Sequence, residues 1–146
     1  MSTPNKILIV DDAATVRMYH RKILVDAGWH TEEACNGIEA LERVHAQPET
    51  EAFDLYLVDV NMPRLDGYAF VRQLRGLDAV HQAPVLMVST EAGSQDSRAA
   101  FEAGANGYLI KPARPAELLL SAALLLGDRE TALDAAVHQA KPGAAR

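Results

Sequence analysis

Four apolar runs in this chain each end on a polar side chain that could do phosphoryl or metal chemistry. Ile7-Leu8-Ile9-Val10 delivers Asp11 and Asp12, and Leu55-Tyr56-Leu57-Val58 delivers Asp59. Val85-Leu86-Met87-Val88 ends on Ser89, and Tyr108-Leu109-Ile110 ends on Lys111. Short continuous apolar runs read as buried strands. In an open parallel sheet the C-terminal strand ends share one crevice, where such folds bind ligands. Three carboxylates, one ammonium and one hydroxyl would then converge. Crowded carboxylates repel, and a bound divalent cation is the simplest remedy. An all-oxygen donor set favours Mg²⁺; no His or Cys lies in these turns to suit a softer metal. A carboxylate beside Mg²⁺ can attack phosphorus and form an acyl phosphate. Lys111 and the cation would offset the charge of the transition state. Ser89 could hydrogen-bond the attached phosphoryl group, and the backbone carbonyl of Asn61 could complete the metal shell.

Singly, each residue has an ordinary reading. Asp-Asp after a strand is a common helix cap, and a lysine at a strand end is commonly solvated. The joint placement on four strands is what points to a site.

The elements that must position these residues alternate along the chain. Strand patterns fall at Lys6–Asp11, Thr31–Ala34, Asp54–Asp59, Pro84–Ser89 and Gly107–Ile110. Between them lie helix patterns: Ala14–Ala27, with Val16, Ile23 and Ala27 inward and Gly28 as the stop, then one capped by Asn36 with Glu39 three residues on. A third opens at Asp66-Gly67, a fourth is capped by Ser94 and stopped by Gly104, and a fifth starts at Pro115. Five alternating pairs imply a doubly wound α/β fold, a five-stranded parallel sheet with helices on both faces. The first, third and fourth strands, apolar throughout, are expected at the centre, and polar Thr31-Glu32-Glu33-Ala34 at an edge.

Composition sets the bounds. At 146 residues, 49% apolar and 23% charged, the chain reads as one soluble domain. A net charge of −6 with scattered basic residues argues against a nucleic-acid partner. The most apolar run, Leu118–Leu126, is nine residues, whereas a membrane span needs about 20. Together with the lone Cys35 and no apolar leader, this gives an expectation of a cytoplasmic protein without membrane contact. The five histidines show no ligand spacing. No phosphate-cradling glycine motif occurs.

The spacing Asp11-Asp12, Asp59, Ser89 and Lys111-Pro112 resembles the receiver domain of two-component response regulators. So do the strings Ile9-Val10-Asp11-Asp12, Asp59-Val60-Asn61-Met62-Pro63 and Gly104-Ala105-Asn106-Gly107-Tyr108. The resemblance spans about residues 5–126 and is strongest to stand-alone, CheY-like regulators. It implies a flavodoxin-like fold, Asp59 as phosphoacceptor, Asp12 as direct Mg²⁺ ligand and Asp11 acting through water. It further implies a cis peptide at Lys111-Pro112 and a switch pair, Ser89 and Tyr108. Asn61, Thr90 and Glu91 would modulate the lifetime of the phosphoryl group. The implied partners are a sensor histidine kinase, docking near Met18, Tyr19 and Lys22, and a downstream protein on the fourth helix, fifth strand and fifth helix. The chain would be no enzyme beyond its own phosphorylation and dephosphorylation, a monomer or weak dimer, and a candidate for chemotaxis signalling. A phosphate sink, or a phosphorelay shuttle to a histidine phosphotransfer protein, is the alternative.

Two regions divide the chain: a receiver domain over 1–127 and a tail over 128–146. Leu118–Leu126 is apolar nearly all round, more than one sheet-facing stripe requires. A dimer partner, a target or the tail must cover the rest. The tail predicts a helix over Arg129–Ala140, with Ala132, Leu133, Ala136, Val137 and Ala140 inward and Gly127 as hinge. The 19 residues after Gly127 are too few for an output module. Lys141–Arg146 is expected to be disordered.

Overall fold

The computed structural model describes residues 3–140, with the side chains of 139 and 140 excepted. Five strands form one parallel sheet: β1 (Lys6–Val10), β2 (His30–Ala34), β3 (Leu55–Asp59), β4 (Val85–Ser89) and β5 (Gly107–Ile110), in the order β2-β1-β3-β4-β5. The helices are α1 (Ala14–Asp26), α2 (Gly37–Ala46), α3 (Gly67–Arg75), α4 (Ser94–Ala103), α5 (Pro115–Leu126) and α6 (Arg129–Ala140). This is the doubly wound α/β architecture, and the polar strand stands at the edge as the pattern requires. β3 and β4 are buried throughout, and two apolar clusters cover the two faces of the sheet. Burial on both faces explains why the central strands are continuous apolar runs rather than alternating ones.

Local chemistry sets the helix starts. The Asn36 side chain accepts from the Glu39 amide at 2.9 Å, and the Glu39 carboxylate reaches back to the Cys35 amide at 3.1 Å. Asp66 accepts from the Ala69 amide at 2.8 Å. At α4 the expected cap moves: Ser94 is the first helical residue, and the Asp96 carboxylate accepts from the Gly93 amide at 3.1 Å. Glycine at position 93 leaves no side chain to cap, so the acid inside the first turn takes that role.

In α1 the inward face differs from the expected one. His20 and Leu24 are the buried residues, whereas Val16, Ile23 and Ala27 are only half-buried. The sequence pattern named neither His20 nor Leu24 as inward, although both stand on the face turned to the sheet.

α6 forms over Arg129–Ala140 and folds back beside α5. Gly127 takes φ 76°, a left-handed conformation that glycine adopts at little cost, and turns the chain between the helices. Asp128 caps α6 through the Thr131 amide at 3.1 Å, and its other oxygen accepts from the Trp29 indole N–H at 3.1 Å. Ala132 and Ala135 are buried, whereas Leu133 and Val137, expected inward, are exposed. The alanines allow the two helix backbones to approach closely, and larger side chains are turned outward. The covering that α5 requires is therefore supplied in part by the tail. Among the described residues no helix is long and apolar enough to cross a membrane. The expectation for Lys141–Arg146 lies outside the described residues, as does that for the Ala140 side chain.

Candidate phosphoryl and metal site

Strand register assembles the site. Val10 pairs with Val58, so the next residues, Asp11 and Asp59, stand side by side at the ends of adjacent central strands. Asp59 pairs with Val88 and Ser89 with Ile110, which brings Ser89 and then Lys111 into the same crevice. Backbone bonds carry the ladder past the strand ends: the Asp11 amide to the Ala34 carbonyl at 3.1 Å, and the Lys111 amide to the Ser89 carbonyl at 2.7 Å. Gly67 fixes the far wall. A Cβ there would lie 2.3 Å from the Asp59 carbonyl oxygen, so only glycine lets α3 approach the end of β3 this closely.

Carboxylate oxygens of Asp11, Asp12 and Asp59 all lie within 4.8 Å of one another. Asp11 and Asp59 are buried, at 1% and 5% exposure, and Asp12 faces solvent. The Lys111 ammonium donates to Asp11 at 2.8 Å and to Asp59 at 3.0 Å. The second oxygen of Asp11 accepts from the Ala13 amide at 2.9 Å. Burial pushes the Asp59 carboxyl above its ordinary pKa, and the Asp11 charge pushes the same way. The Lys111 hydrogen bond opposes both without cancelling them. Burial works against the charge on Lys111, but its two carboxylate partners outweigh it and raise its pKa. A lone lysine thus compensates a cluster carrying more negative charge than it can neutralise. The donor set is all oxygen and fits a hard divalent cation.

The Lys111-Pro112 peptide is cis, as expected. The fully buried Ser89 hydroxyl accepts from the Glu91 amide at 3.0 Å. The Tyr108 hydroxyl donates to the Glu91 carbonyl at 2.7 Å, and its ring lies half-buried against the core. One peptide segment therefore touches both members of the expected switch pair. Asn61, Thr90 and Glu91 line the rim as exposed residues. Every site residue expected from sequence lies in or beside this crevice.

Three residues of α1 stand at the site in ways the sequence reading did not foresee. The Arg17 guanidinium donates to the backbone carbonyl of Asp11 at 2.7 Å and to Glu33 at 3.0 Å. The Tyr19 hydroxyl donates to the Ala113 carbonyl at 2.9 Å. His20 is 2% exposed, and its Nδ1 has no hydrogen-bond partner among the described residues. Burial lowers its pKa to about 4; the Asp11 charge works against this, and Lys111 adds to the lowering.

Fold and crevice together place the chain among the receiver domains of two-component systems. The family profile described as response regulator receiver domain matches residues 7–123, and the chain belongs to that family. It is 32% identical to the chemotaxis protein CheY1 of Helicobacter pylori over 126 residues, covering 86% of this chain and 99% of that protein. It is 36% identical to a gliding motility regulatory protein of Myxococcus xanthus over 117 residues, 80% of this chain but 14% of that much longer protein. Among solved structures, the receiver domain of the sensor histidine kinase PA1611 of Pseudomonas aeruginosa superposes with a TM-score of 0.76. It is 27% identical and the match covers 86% of this chain and 99% of that one; it was solved with a magnesium ion coordinated in the active-site cleft.

Proposed function

We propose that this chain is a CheY-like response regulator in which phosphoryl transfer from a sensor histidine kinase to Asp59 switches a protein-binding surface. The observation that carries the reading is the buried Asp11, Asp59 and Lys111 cluster, with Asp12 at its mouth. An Asp59 oxygen attacks phosphorus of the phosphohistidine. The new O–P bond forms as the P–N bond breaks, and its electron pair returns to the imidazole, which takes a proton from water. Lys111, already aimed at Asp59, holds charge on the transferring oxygens. Asp11, Asp12, Asp59 and the Asn61 carbonyl would hold Mg²⁺, which when bound neutralises charge on the phosphoryl oxygens. The magnesium in the related PA1611 receiver supports that assignment.

Ser89 ends β4 in the same crevice, and turning toward the phosphoryl group would cost its hydroxyl the bond from the Glu91 amide. Glu91 is also the acceptor for Tyr108, so the loop and the aromatic ring respond together. Exposed Phe101 and Ile110 on α4 and β5 support the α4, β5 and α5 face as the output surface. α6 lies along the Ala123 flank of α5, whereas Leu125 reaches toward Gly107 of β5, so the tail leaves the β5 flank open. The match to nearly all of the chemotaxis protein CheY1 supports chemotaxis as the favoured process; output by binding a protein in the cytoplasm is the reading that goes with it. The protein turns over no substrate other than its own phosphoryl group.

Incubation with acetyl phosphate and Mg²⁺ tests this. Intact-mass measurement should show one added phosphoryl group, absent without Mg²⁺ and absent in Asp59→Asn. An equal gain in Asp59→Asn would overturn the assignment.

A further inference from the structure

The first helix makes two contacts with the site that its sequence did not announce. Arg17 and Tyr19, two residues apart, each donate a hydrogen bond to a main-chain carbonyl, and those carbonyls belong to opposite walls of the crevice. Arg17 binds the carbonyl of Asp11, at the start of the turn that carries both Asp11 and Asp12. Tyr19 binds the carbonyl of Ala113, two residues beyond Lys111. Neither side chain touches the Asp59 carboxylate, so neither is catalytic.

We propose that Arg17 and Tyr19 are positioning residues, a two-armed clamp by which α1 sets the metal-binding turn on one side and the Lys111 segment on the other. This rests on the phosphoacceptor reading above. The Arg17 arm is itself anchored: its Nε donates to Glu33 of β2 at 3.0 Å, so the guanidinium is fixed at both ends. Fixing a planar donor this way suits it to hold a carbonyl in one place. The turn it holds is also braced by the Ala13 amide on the Asp11 carboxylate. On the other wall, Ala113 is buried at 1% exposure and small, and Tyr19 ties its carbonyl from outside. The two arms divide the work. Arg17 governs how well the acidic turn is preorganised for a cation, and Tyr19 governs how firmly Lys111 is held against Asp11 and Asp59. Met18, between the two arms, is 59% exposed, so a protein docked on that turn of α1 bears on both walls at once.

The clamp and simple electrostatics make opposite predictions for Arg17. A nearby cation repels Mg²⁺, so deleting its charge alone would tighten metal binding. Deleting a positioning bond weakens binding, as loss of an outer-shell partner does. Calorimetric titration of the full chain with Mg²⁺ should show Arg17→Gln weaker by about tenfold. Arg17→Lys, which keeps the charge and one donor, should fall between it and the unaltered chain. In metal-free protein, hydrogen exchange at the Ala13 amide should quicken in Arg17→Gln while the far strand β5 is unchanged. Tyr19→Phe should leave Mg²⁺ affinity within about twofold, yet slow phosphorylation by acetyl phosphate at saturating Mg²⁺ by about threefold. Should Arg17→Gln fail to fold, Arg17→Lys decides alone, because it keeps the charge and any loss of Mg²⁺ affinity then reads the lost geometry. Unchanged or tighter Mg²⁺ binding on the Arg17 side, or an unaltered rate in Tyr19→Phe, overturns the clamp. If the unaltered chain itself neither binds Mg²⁺ nor takes up a phosphoryl group, the phosphoacceptor reading falls instead.

Discussion

Asp59 and Asp128 are the same side chain under opposite regimes. Asp59 stands in the crevice at the end of β3, buried beside a second carboxylate, and its pKa is raised by that burial. Asp128 stands at the turn between α5 and α6. Its pKa is lowered, first by the Thr131 amide, then by the Thr131 hydroxyl and the Trp29 indole, with burial opposing. One site leaves a charged group under-compensated; the other satisfies it from three donors. Uncompensated charge destabilises the metal-free fold but prepares it for a cation and a phosphoryl group. Satisfied charge does nothing but hold a helix in place. The chain keeps its strain at one end and its fastening at the other.

The largest effects should come from the strained end. Asp59→Asn should abolish phosphoryl uptake, whereas Asp128→Asn should take up the group at the rate of the unaltered chain; intact-mass measurement against time separates the two. Lys111→Ala removes the shared partner of Asp11 and Asp59. Phosphorylation should slow by about a hundredfold, and the metal-free fold should lose about 2 kcal/mol as two buried carboxylates are left to each other. Saturating Mg²⁺ should restore most of that stability but little of the rate.

Overpacking the fastened end should do the reverse. Ala135 is 4% exposed where α6 meets the rest of the chain. Ala135→Leu should lower stability by about 1–3 kcal/mol in denaturant melts. Mg²⁺ affinity and phosphorylation should be unaffected. A loss of Mg²⁺ affinity in this variant would show the two ends to be coupled and would break the contrast.

The two regions also differed in how much the sequence told. The crevice was legible because strands deliver residues in a fixed register. A polar residue that ends an apolar run has one place to go, and Asp11, Asp59, Ser89 and Lys111 went there. The hairpin was half legible. The helix at Arg129–Ala140 followed from periodicity, but its inner face did not. Periodicity put Ala132 inward together with Leu133 and Val137; Ala132 is buried as expected, but Ala135 is buried in place of the two larger residues, which are exposed. The α1 contacts were illegible for another reason. Tyr19 and Ala113 are 94 positions apart, and a bond to a main-chain carbonyl leaves no complementary residue type to look for. His20 carried no signal either: without ligand spacing to its fellow histidines, nothing in the sequence set it apart.

Acid should act on the two aspartates in opposite directions. Asp59 has a raised pKa, so the folded state holds its proton more tightly than the unfolded chain does. Stability therefore falls as pH rises from the unfolded value through the folded one. In metal-free protein Asp59→Asn should accordingly melt higher than the unaltered chain at pH 7. The gap should close as the pH is brought down toward 4, near the carboxylate's ordinary pKa. Added Mg²⁺ should erase the gap at neutral pH by stabilising only the unaltered chain.

Asp128 should give the smallest effect and the opposite sign. A lowered pKa contributes stability above the unfolded value, and that contribution is lost as pH falls through the folded one. Asp128→Ala should cost about 1 kcal/mol at pH 7, the usual worth of a helix N-cap. Trp29 is the sole tryptophan and reports on the contact directly, because its indole N–H is donated to Asp128. Its emission should shift to the red in Asp128→Ala as the hairpin loosens. The unaltered chain should show the same shift only below about pH 4, with Asp59→Asn following the same acid curve. An emission change that instead tracked the phosphorylation of Asp59 would tie the fastened end to the strained one, and α6 would then belong to the switch.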